Sequence, residues 1–141
     1  MKKVFLGGTC GNNNWREQFI TELTLRGVSI EQIVNPVVSV WNEEVKKKEE
    51  ETKKEVSHMF FYLADPKQEE NHLSAYSMVE ATMATYDKLS TTAVVFDMYD
   101  MSGDPLTAMT QAMTVIKERF PQAKIFTDRA SAIDWLVKEL L

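Results

Sequence analysis

The sequence has one cysteine, Cys10, and only two histidines, His58 and His72, among its 141 residues. A single cysteine cannot form an internal disulfide or, by itself, a zinc site, and this usage fits a reducing compartment. Neither histidine has a partner at the spacing of a metal-binding pair. We therefore expect no metal site.

Long apolar runs are missing too. No stretch of 18 apolar residues occurs, and the apolar run in the N-terminal MKKVFLGG is too short for a secretory signal. We therefore expect a cytoplasmic protein that binds no membrane. The net charge is −5, and the only dense run of lysines, Lys46 to Lys54, is interleaved with glutamates. Binding to the backbone of a nucleic acid is therefore disfavoured.

The pattern along the chain predicts a single α/β domain, residues 1–141. The length is typical of one domain, and we find no internal repeat, low-complexity linker or step in charge. Short runs rich in β-branched and aromatic residues, bounded by turn residues, predict five buried strands. These are Lys3–Leu6, Ile30–Val34, Met59–Leu63, Ala93–Phe96 and Ala123–Phe126.

Segments with helical spacing of apolar residues separate the strands. The first begins with a capping signal, Asn14 and Glu17, and ends at Gly27. The second, about Asn42 to Glu55, is almost entirely Glu and Lys, which predicts a mostly exposed arm. Each remaining helix has an apolar stripe that we expect to face the core. The stripes are Tyr76, Val79, Met83 and Tyr86, then Leu106, Met109, Met113 and Ile116, then Ile133, Leu136, Val137 and Leu140.

This alternation predicts a flavodoxin-like, doubly wound, five-stranded and mostly parallel sheet with helices on both faces. Its ligand crevice should lie beyond the carboxyl ends of the strands. The loop Gly7 to Asn14 is neither a dinucleotide GxGxxG nor a GxxxxGK[ST] motif, and its lack of a lysine argues against hydrolysis of a nucleotide triphosphate. We expect no cofactor. The loop is either a site for anionic or polar ligand atoms or a tight turn that needs glycines.

Three groups of residues carry a resemblance to a known family. They are Val4-Phe5-Leu6-Gly7-Gly8-Thr9-Cys10 with Trp15-Arg16-Glu17, then Asn35-Pro36-Val37-Val38 with Trp41, then Tyr76-Ser77 with Glu80. Together they resemble the nucleoside 2-deoxyribosyltransferase family over most of the chain. The likeness is closest to the broad branch described as nucleoside 2-deoxyribosyltransferase-like.

The resemblance implies cleavage of an N-glycosidic bond by a glutamate that attacks the anomeric carbon of the sugar. Glu80 matches that nucleophile, and a nearby helix N-terminus would favour its anion. A second acid is implied eight residues before the strand-start position, which His58 fills, and the count gives Glu50. The adjacent Glu49 and Glu51 leave this register open. A solvated helix with i,i+4 ion pairs is the alternative reading of Glu50.

Further positions follow from the same resemblance. Gly8, Thr9 and Cys10 would line the sugar and base pocket, and Phe5 stands where the characterised enzymes have a tyrosine that helps to hold the carboxylate. Ser74 replaces an aspartate that contacts the nucleobase in some transferases. The segment with Thr107 resembles one that reaches into a neighbouring subunit's site, which implies a homodimer or a larger homo-oligomer.

Two residues at the expected crevice could contact a nucleoside. Trp41 could stack on a nucleobase or simply pack in its loop. Asp65 could bind ribose hydroxyls, although Asp65-Pro66 is also an ordinary turn signal.

We therefore expect an enzyme that acts on 2-deoxynucleosides or their 5′-monophosphates, by deoxyribosyl transfer or by hydrolysis. The alternative is a non-catalytic module that senses or sequesters a nucleoside or nucleotide. A receiver-like domain is a poor match, because Gly7 and Gly8 stand where an acidic pair would follow the first strand.

Overall fold

The computed structural model describes residues 1–9, 14–64 and 75–141. These residues form five strands and five α-helices. The strands are β1 (Val4–Gly8), β2 (Ile33–Val34), β3 (His58–Ala64), β4 (Thr92–Asp97) and β5 (Lys124–Phe126). The helices are α1 (Trp15–Leu25), α2 (Glu43–Glu55), α3 (Ala75–Asp87), α4 (Gly103–Arg119) and α5 (Arg129–Leu140). None of the helices in the described ranges is long and apolar enough to cross a membrane.

The strands form one parallel sheet in the order β2-β1-β3-β4-β5. This is the flavodoxin-like, doubly wound arrangement that the alternating pattern predicted. The direction of winding reverses between β1 and β3, so a crevice is expected beyond the carboxyl ends of these two strands. Their register pairs Gly8 with Tyr62 at that edge.

The sheet is buried on both faces, which explains why its strands are apolar throughout rather than alternating. One face packs against α1 and α5 around residues such as Phe60 and Leu136. The other face packs against α3 and α4 around Phe61 and Met109. No residue of α2 is buried, in agreement with the prediction of a mostly exposed helix.

Two local predictions differ from the structure. The second strand is only Ile33–Val34, because Ile30–Gln32 forms a 3₁₀ turn that the Ser29 side chain caps. Asn14 does not cap α1 through its side chain, which instead accepts a hydrogen bond from Gln18 Nε2 at 2.9 Å. The stop signal at Gly27 is confirmed, since α1 ends at Leu25 and Gly27 has a φ of 98°.

The prediction that the apolar stripe of α3 faces the core is wrong. Tyr76, Val79, Met83 and Tyr86 are between 52% and 58% exposed. The buried residues of this helix are Ser77, Ala81, Ala84 and Thr85. Their small side chains let α3 lie close to the sheet, which leaves the large apolar residues facing outward. The stripes of α4 and α5 do face the core, as predicted.

Candidate active site

A cavity of about 490 Å³ opens at the carboxyl edge of the sheet, beside β1. Five parts of the chain form its walls: the end of β1, the start of α1, the loop after β2, the middle of α2 and the start of α3. The described residues that line it are Phe5, Gly7, Gly8, Arg16, Glu17, Asn35, Pro36, Val37, Val38, Trp41, Glu49, Tyr76, Ser77 and Glu80.

Glu80 lies in the second turn of α3, and its side chain is only 13% exposed. Ser77, one turn earlier, donates a hydrogen bond from Oγ to the Gly8 carbonyl at 3.0 Å, and Ala81 is fully buried. These contacts fix α3 against β1, so that the Glu80 side chain lies between α3 and α2. Its Oε2 atom is buried and forms an ion pair with Lys53, and no other described group donates a hydrogen bond to it.

Burial raises the pKa of Glu80, and the charges of Glu49 and Glu50 raise it further. The hydrogen bond and charge of Lys53 act in the opposite direction and offset part of this increase. We expected the helix N-terminus to favour the anion. That effect falls off within the first turn, and Glu80 is in the second, so burial prevails.

Lys53 brings three carboxylates together. Its Nζ atom lies 3.3 Å from Glu49, 3.0 Å from Glu50 and in direct contact with Glu80. Burial by itself would lower the pKa of Lys53, but hydrogen bonds to Glu80 and Glu50 and the charges of Glu80 and Glu49 raise it above its ordinary value. Lys53 is therefore a fixed positive charge in the site.

The sequence left open which glutamate of α2 belongs to the site. Glu50, the residue that the resemblance implied, has a side chain that is 48% exposed and does not line the cavity. Glu49 lines the cavity, and its side chain is only 11% exposed. Because Glu49 and Glu80 contact the same ammonium group, their nearest oxygens can be no more than about 6 Å apart.

The end of β1 is tightly bound to its surroundings. Gly8 lines the cavity with a φ of 130°, and a Cβ added there would lie 2.1 Å from the Tyr62 carbonyl oxygen. Thr9 is buried, and its hydroxyl pairs with the Ala64 backbone N–H and carbonyl, each at 2.9 Å. In the structure Thr9 thus joins β1 to β3, whereas the resemblance implied that it lines the pocket.

The other predicted site residues are placed as follows. Trp41 lines the cavity and is 53% exposed, so one face of its ring can meet a ligand. Thr107 lies on the exposed side of α4, where its hydroxyl donates to the Gly103 carbonyl at 3.2 Å, and it does not line this cavity. The predictions for Cys10, Asp65 and Ser74 concern positions outside the described residues.

Sequence reasoning missed Lys53 and Tyr76. Lys53 belongs to a mixed Glu and Lys helix, a pattern that is typical of a solvated surface with i,i+4 ion pairs. Tyr76 was assigned to the core, but it lines the cavity, and burial and the charge of Glu80 raise its pKa.

The fold and the cavity together define a flavodoxin-like α/β domain with an acidic site at the carboxyl edge of its sheet. The family model described as nucleoside 2-deoxyribosyltransferase-like matches residues 1–99, and the chain belongs to this family. The match includes β1 to β4 and every described residue that lines the cavity. No curated protein matches the chain. The family supports a function related to glycosyl transfer, with a small nucleoside ligand.

Proposed function

We propose that the protein cleaves the N-glycosidic bond of 2-deoxynucleosides or their 5′-monophosphates, and that Glu80 is the nucleophile. The observation that carries this proposal is the arrangement around Lys53, in which Glu80 and a second glutamate converge on one cavity. The same positions fall within the part of the chain that matches the family. The sugar would go to a second nucleobase in a transferase or to water in a hydrolase.

The chemistry follows the double displacement of retaining glycosidases. The ionised Glu80 carboxylate attacks the anomeric carbon, and the bond from that carbon to the base nitrogen breaks. The bonding electron pair leaves with the base, which takes a proton from the second carboxylic acid. In the second step a base nitrogen or a water oxygen attacks the same carbon, returns its proton to the second acid and releases Glu80.

We propose Glu49 as the second acid in place of Glu50. Its side chain lines the cavity, whereas the Glu50 side chain is half exposed. A proton donor has to come within hydrogen-bonding distance of the leaving base, so exposure to the cavity decides between the two. Glu50 then has a supporting role as one partner of Lys53.

The remaining walls suit a flat, largely apolar base. Pro36, Val37 and Val38 form an apolar wall of the cavity, and Trp41 offers an aromatic face. Stacking on aromatic rings is sequence-tolerant because every nucleobase has a π-face. We therefore propose that the loop after β2 holds the base and that Gly8, at the end of β1, lies beside the sugar.

A purified-protein assay tests this function. Wild-type protein would be incubated with a mixed panel of deoxynucleosides and deoxynucleoside monophosphates, with and without free adenine, and the products separated by chromatography. We expect base release or base exchange that is abolished in Glu80→Ala. Glu49→Gln should be impaired at least about a hundredfold, because general acid catalysis contributes 10²–10⁴-fold, while Glu50→Gln should stay close to wild type. Equal effects of these two substitutions would contradict the choice of Glu49.

A binding module without catalysis is the second candidate. The ion pair between Lys53 and Glu80 favours it, because a carboxylate engaged by an ammonium group is a weaker nucleophile. In that case no panel member is turned over, yet a nucleoside or nucleotide raises the melting temperature of the protein. Turnover that depends on Glu80 would rule this candidate out.

We also propose that the protein forms a homodimer or a larger homo-oligomer through α3. The exposed stripe of Tyr76, Val79, Met83 and Tyr86 is an apolar helix face of the kind that protein interfaces cover. We expect wild-type protein to elute as an oligomer in size-exclusion chromatography with light scattering, and Val79→Lys to shift it toward the monomer. Glu118→Lys, an exposed change on α4, is the control. A wild-type monomer at micromolar concentration would contradict this proposal.

A further inference from the structure

We propose that Lys53 is a positioning residue of this site, whose ammonium group holds the Glu80 carboxylate in the ionised, cavity-facing arrangement. The inference rests on the proposed role of Glu80 as nucleophile. It concerns a residue that itself need not contact the substrate, because Lys53 is not among the residues that line the cavity.

The geometry gives Glu80 no alternative partner among the described residues. Its buried Oε2 atom contacts the Lys53 ammonium, and no other described group donates a hydrogen bond to it. The β1 side chain beneath Lys53 is Phe5, whose ring centroid lies 5.5 Å from Nζ and which carries no donor. The ammonium group is therefore the element that orients this carboxylate.

Lys53 is itself held in place from several sides. Its side chain is 13% exposed, and Glu49 and Glu50 contact the ammonium from the preceding turn of α2. The ring of Tyr76 lies 5.8 Å from Nζ on the side of α3. A lysine with so many partners loses little further freedom when Glu80 binds it, so the ion pair is preorganised.

The balance of charge predicts the effect of removing the lysine. The titratable groups around Glu80 are Lys53, Glu49 and Glu50 of α2 and Tyr76 of α3, with Arg16 and Glu17 of α1 lining the same cavity. Lys53 is the one described cation in an ion pair with Glu80. Without it, three carboxylates share a partly desolvated site, and the proton on Glu80 becomes harder to remove.

The direct test follows the ionisation of Glu80 by NMR, with no need for substrate. Protein labelled with ¹³C at the glutamate side-chain carboxyl would be titrated, and the Glu80 signal assigned by its loss in Glu80→Gln. We expect the titration midpoint of Glu80 to rise by about one pH unit or more in Lys53→Met. Lys53→Arg should keep the midpoint near that of wild type. An unchanged midpoint in Lys53→Met overturns the inference.

Lys47→Met is the matched control, because Lys47 is an exposed lysine of the same helix that forms no ion pair with Glu80. It should leave the midpoint unchanged. These variants remove no apolar core packing, because no residue of α2 is buried, and thermal melting checks that each variant is folded before its titration is compared with that of wild type. A midpoint that shifts equally in Lys47→Met would mean that net charge rather than position is responsible, which also overturns the inference.

Activity provides a second readout. The low-pH limb of kcat/KM should move upward in Lys53→Met by the same shift as the NMR midpoint, and raising the pH should restore most of the rate. A uniform loss at all pH values would indicate a merely structural role and refute the inference.

If wild-type protein turns over no substrate while the NMR midpoint still shifts, the role of Lys53 holds and the proposed function fails. If wild-type protein is active and the midpoint does not shift in Lys53→Met, the proposed function holds and the role of Lys53 fails.

Discussion

Replacing Arg16 by methionine should destabilise the protein by about 3 kcal/mol. Arg16 is 7% exposed, and its guanidinium donates to the carbonyls of Leu6, Gly8 and Thr9 at 3.1, 3.2 and 3.2 Å. A cation in the first turn of a helix opposes the helix dipole. The position of Arg16 is therefore explained by these three carbonyls, which crowd together at the carboxyl end of β1.

The magnitude follows from what methionine keeps and what it loses. Each hydrogen bond to a charged group contributes about 1.5–3 kcal/mol, but three bonds from one side chain do not add in full. The Gly8 and Thr9 carbonyls retain donors in Ser77 Oγ and Trp15 Nε1, so they are not left unsatisfied. Methionine also keeps most of the aliphatic packing. The expected loss in the free energy of unfolding is therefore about 3 kcal/mol, well below the total that three independent bonds would contribute.

Urea unfolding followed by circular dichroism measures this change. Arg26→Met is the matched control, because Arg26 forms an exposed ion pair with Asp134 at 2.7 Å, with side chains 37% and 61% exposed. Such a pair contributes at most about 1 kcal/mol. If Arg16→Met costs no more than Arg26→Met, the guanidinium does not hold the end of β1 and this reasoning is wrong.

Two further stability predictions concern the same edge of the sheet. Gly8→Ala should lower the free energy of unfolding by about 3 kcal/mol or more, because the added Cβ would lie 2.1 Å from the Tyr62 carbonyl oxygen. Gly103→Ala is the comparison, since Gly103 has a φ of 62° but open space around it, and it should cost only about 1 kcal/mol. Equal losses of unfolding free energy in the two variants, measured by urea unfolding, would contradict the close contact predicted at Gly8. Burial, with the hydrogen bond to Asp97, raises the pKa of Tyr62 to about 12. Between pH 10 and 12 the Tyr62 hydroxyl is ionised in the unfolded chain but still protonated in the folded protein. Over this range the free energy of unfolding of wild type should therefore fall by about 2 kcal/mol more than that of Tyr62→Phe. An equal fall in both proteins would refute the raised pKa.

Much of the fold could be predicted because its signals are local. Buried parallel strands are short apolar runs between turn residues, and four of the five predicted strands lie within two residues of the observed bounds. The second strand was too long because apolar content alone does not distinguish a strand from a 3₁₀ turn at Ile30–Gln32. The α3 stripe was misassigned for a related reason. Helical periodicity identifies an apolar face but not what covers it, and small residues such as Ala81 and Ala84 carry little signal in such a pattern.

The site was harder to predict than the fold. Glu80 and Trp41 could be named from the resemblance, and the structure brings both to the same cavity. Lys53 and Glu49 could not be separated from their neighbours, because every position from Glu43 to Glu55 except Val45 and Thr52 is Glu or Lys. Only the rotation of α2 relative to the sheet decides which of these side chains turns inward, and that rotation depends on contacts distant in sequence.

The attachment of α2 links the site to the stability of this helix. No residue of α2 is buried, so apolar packing contributes little to its position. Among the described residues, the ion pair of Lys53 with Glu80 joins α2 to α3. Just after α3, Lys88 also donates hydrogen bonds to the carbonyls of Lys54 and Val56 at the end of α2. The charge that orients the carboxylate thus also fastens the helix. Protonation of Glu80 at acid pH removes the ion pair, and α2 should then exchange its amide protons faster while α5, which packs through apolar residues, does not.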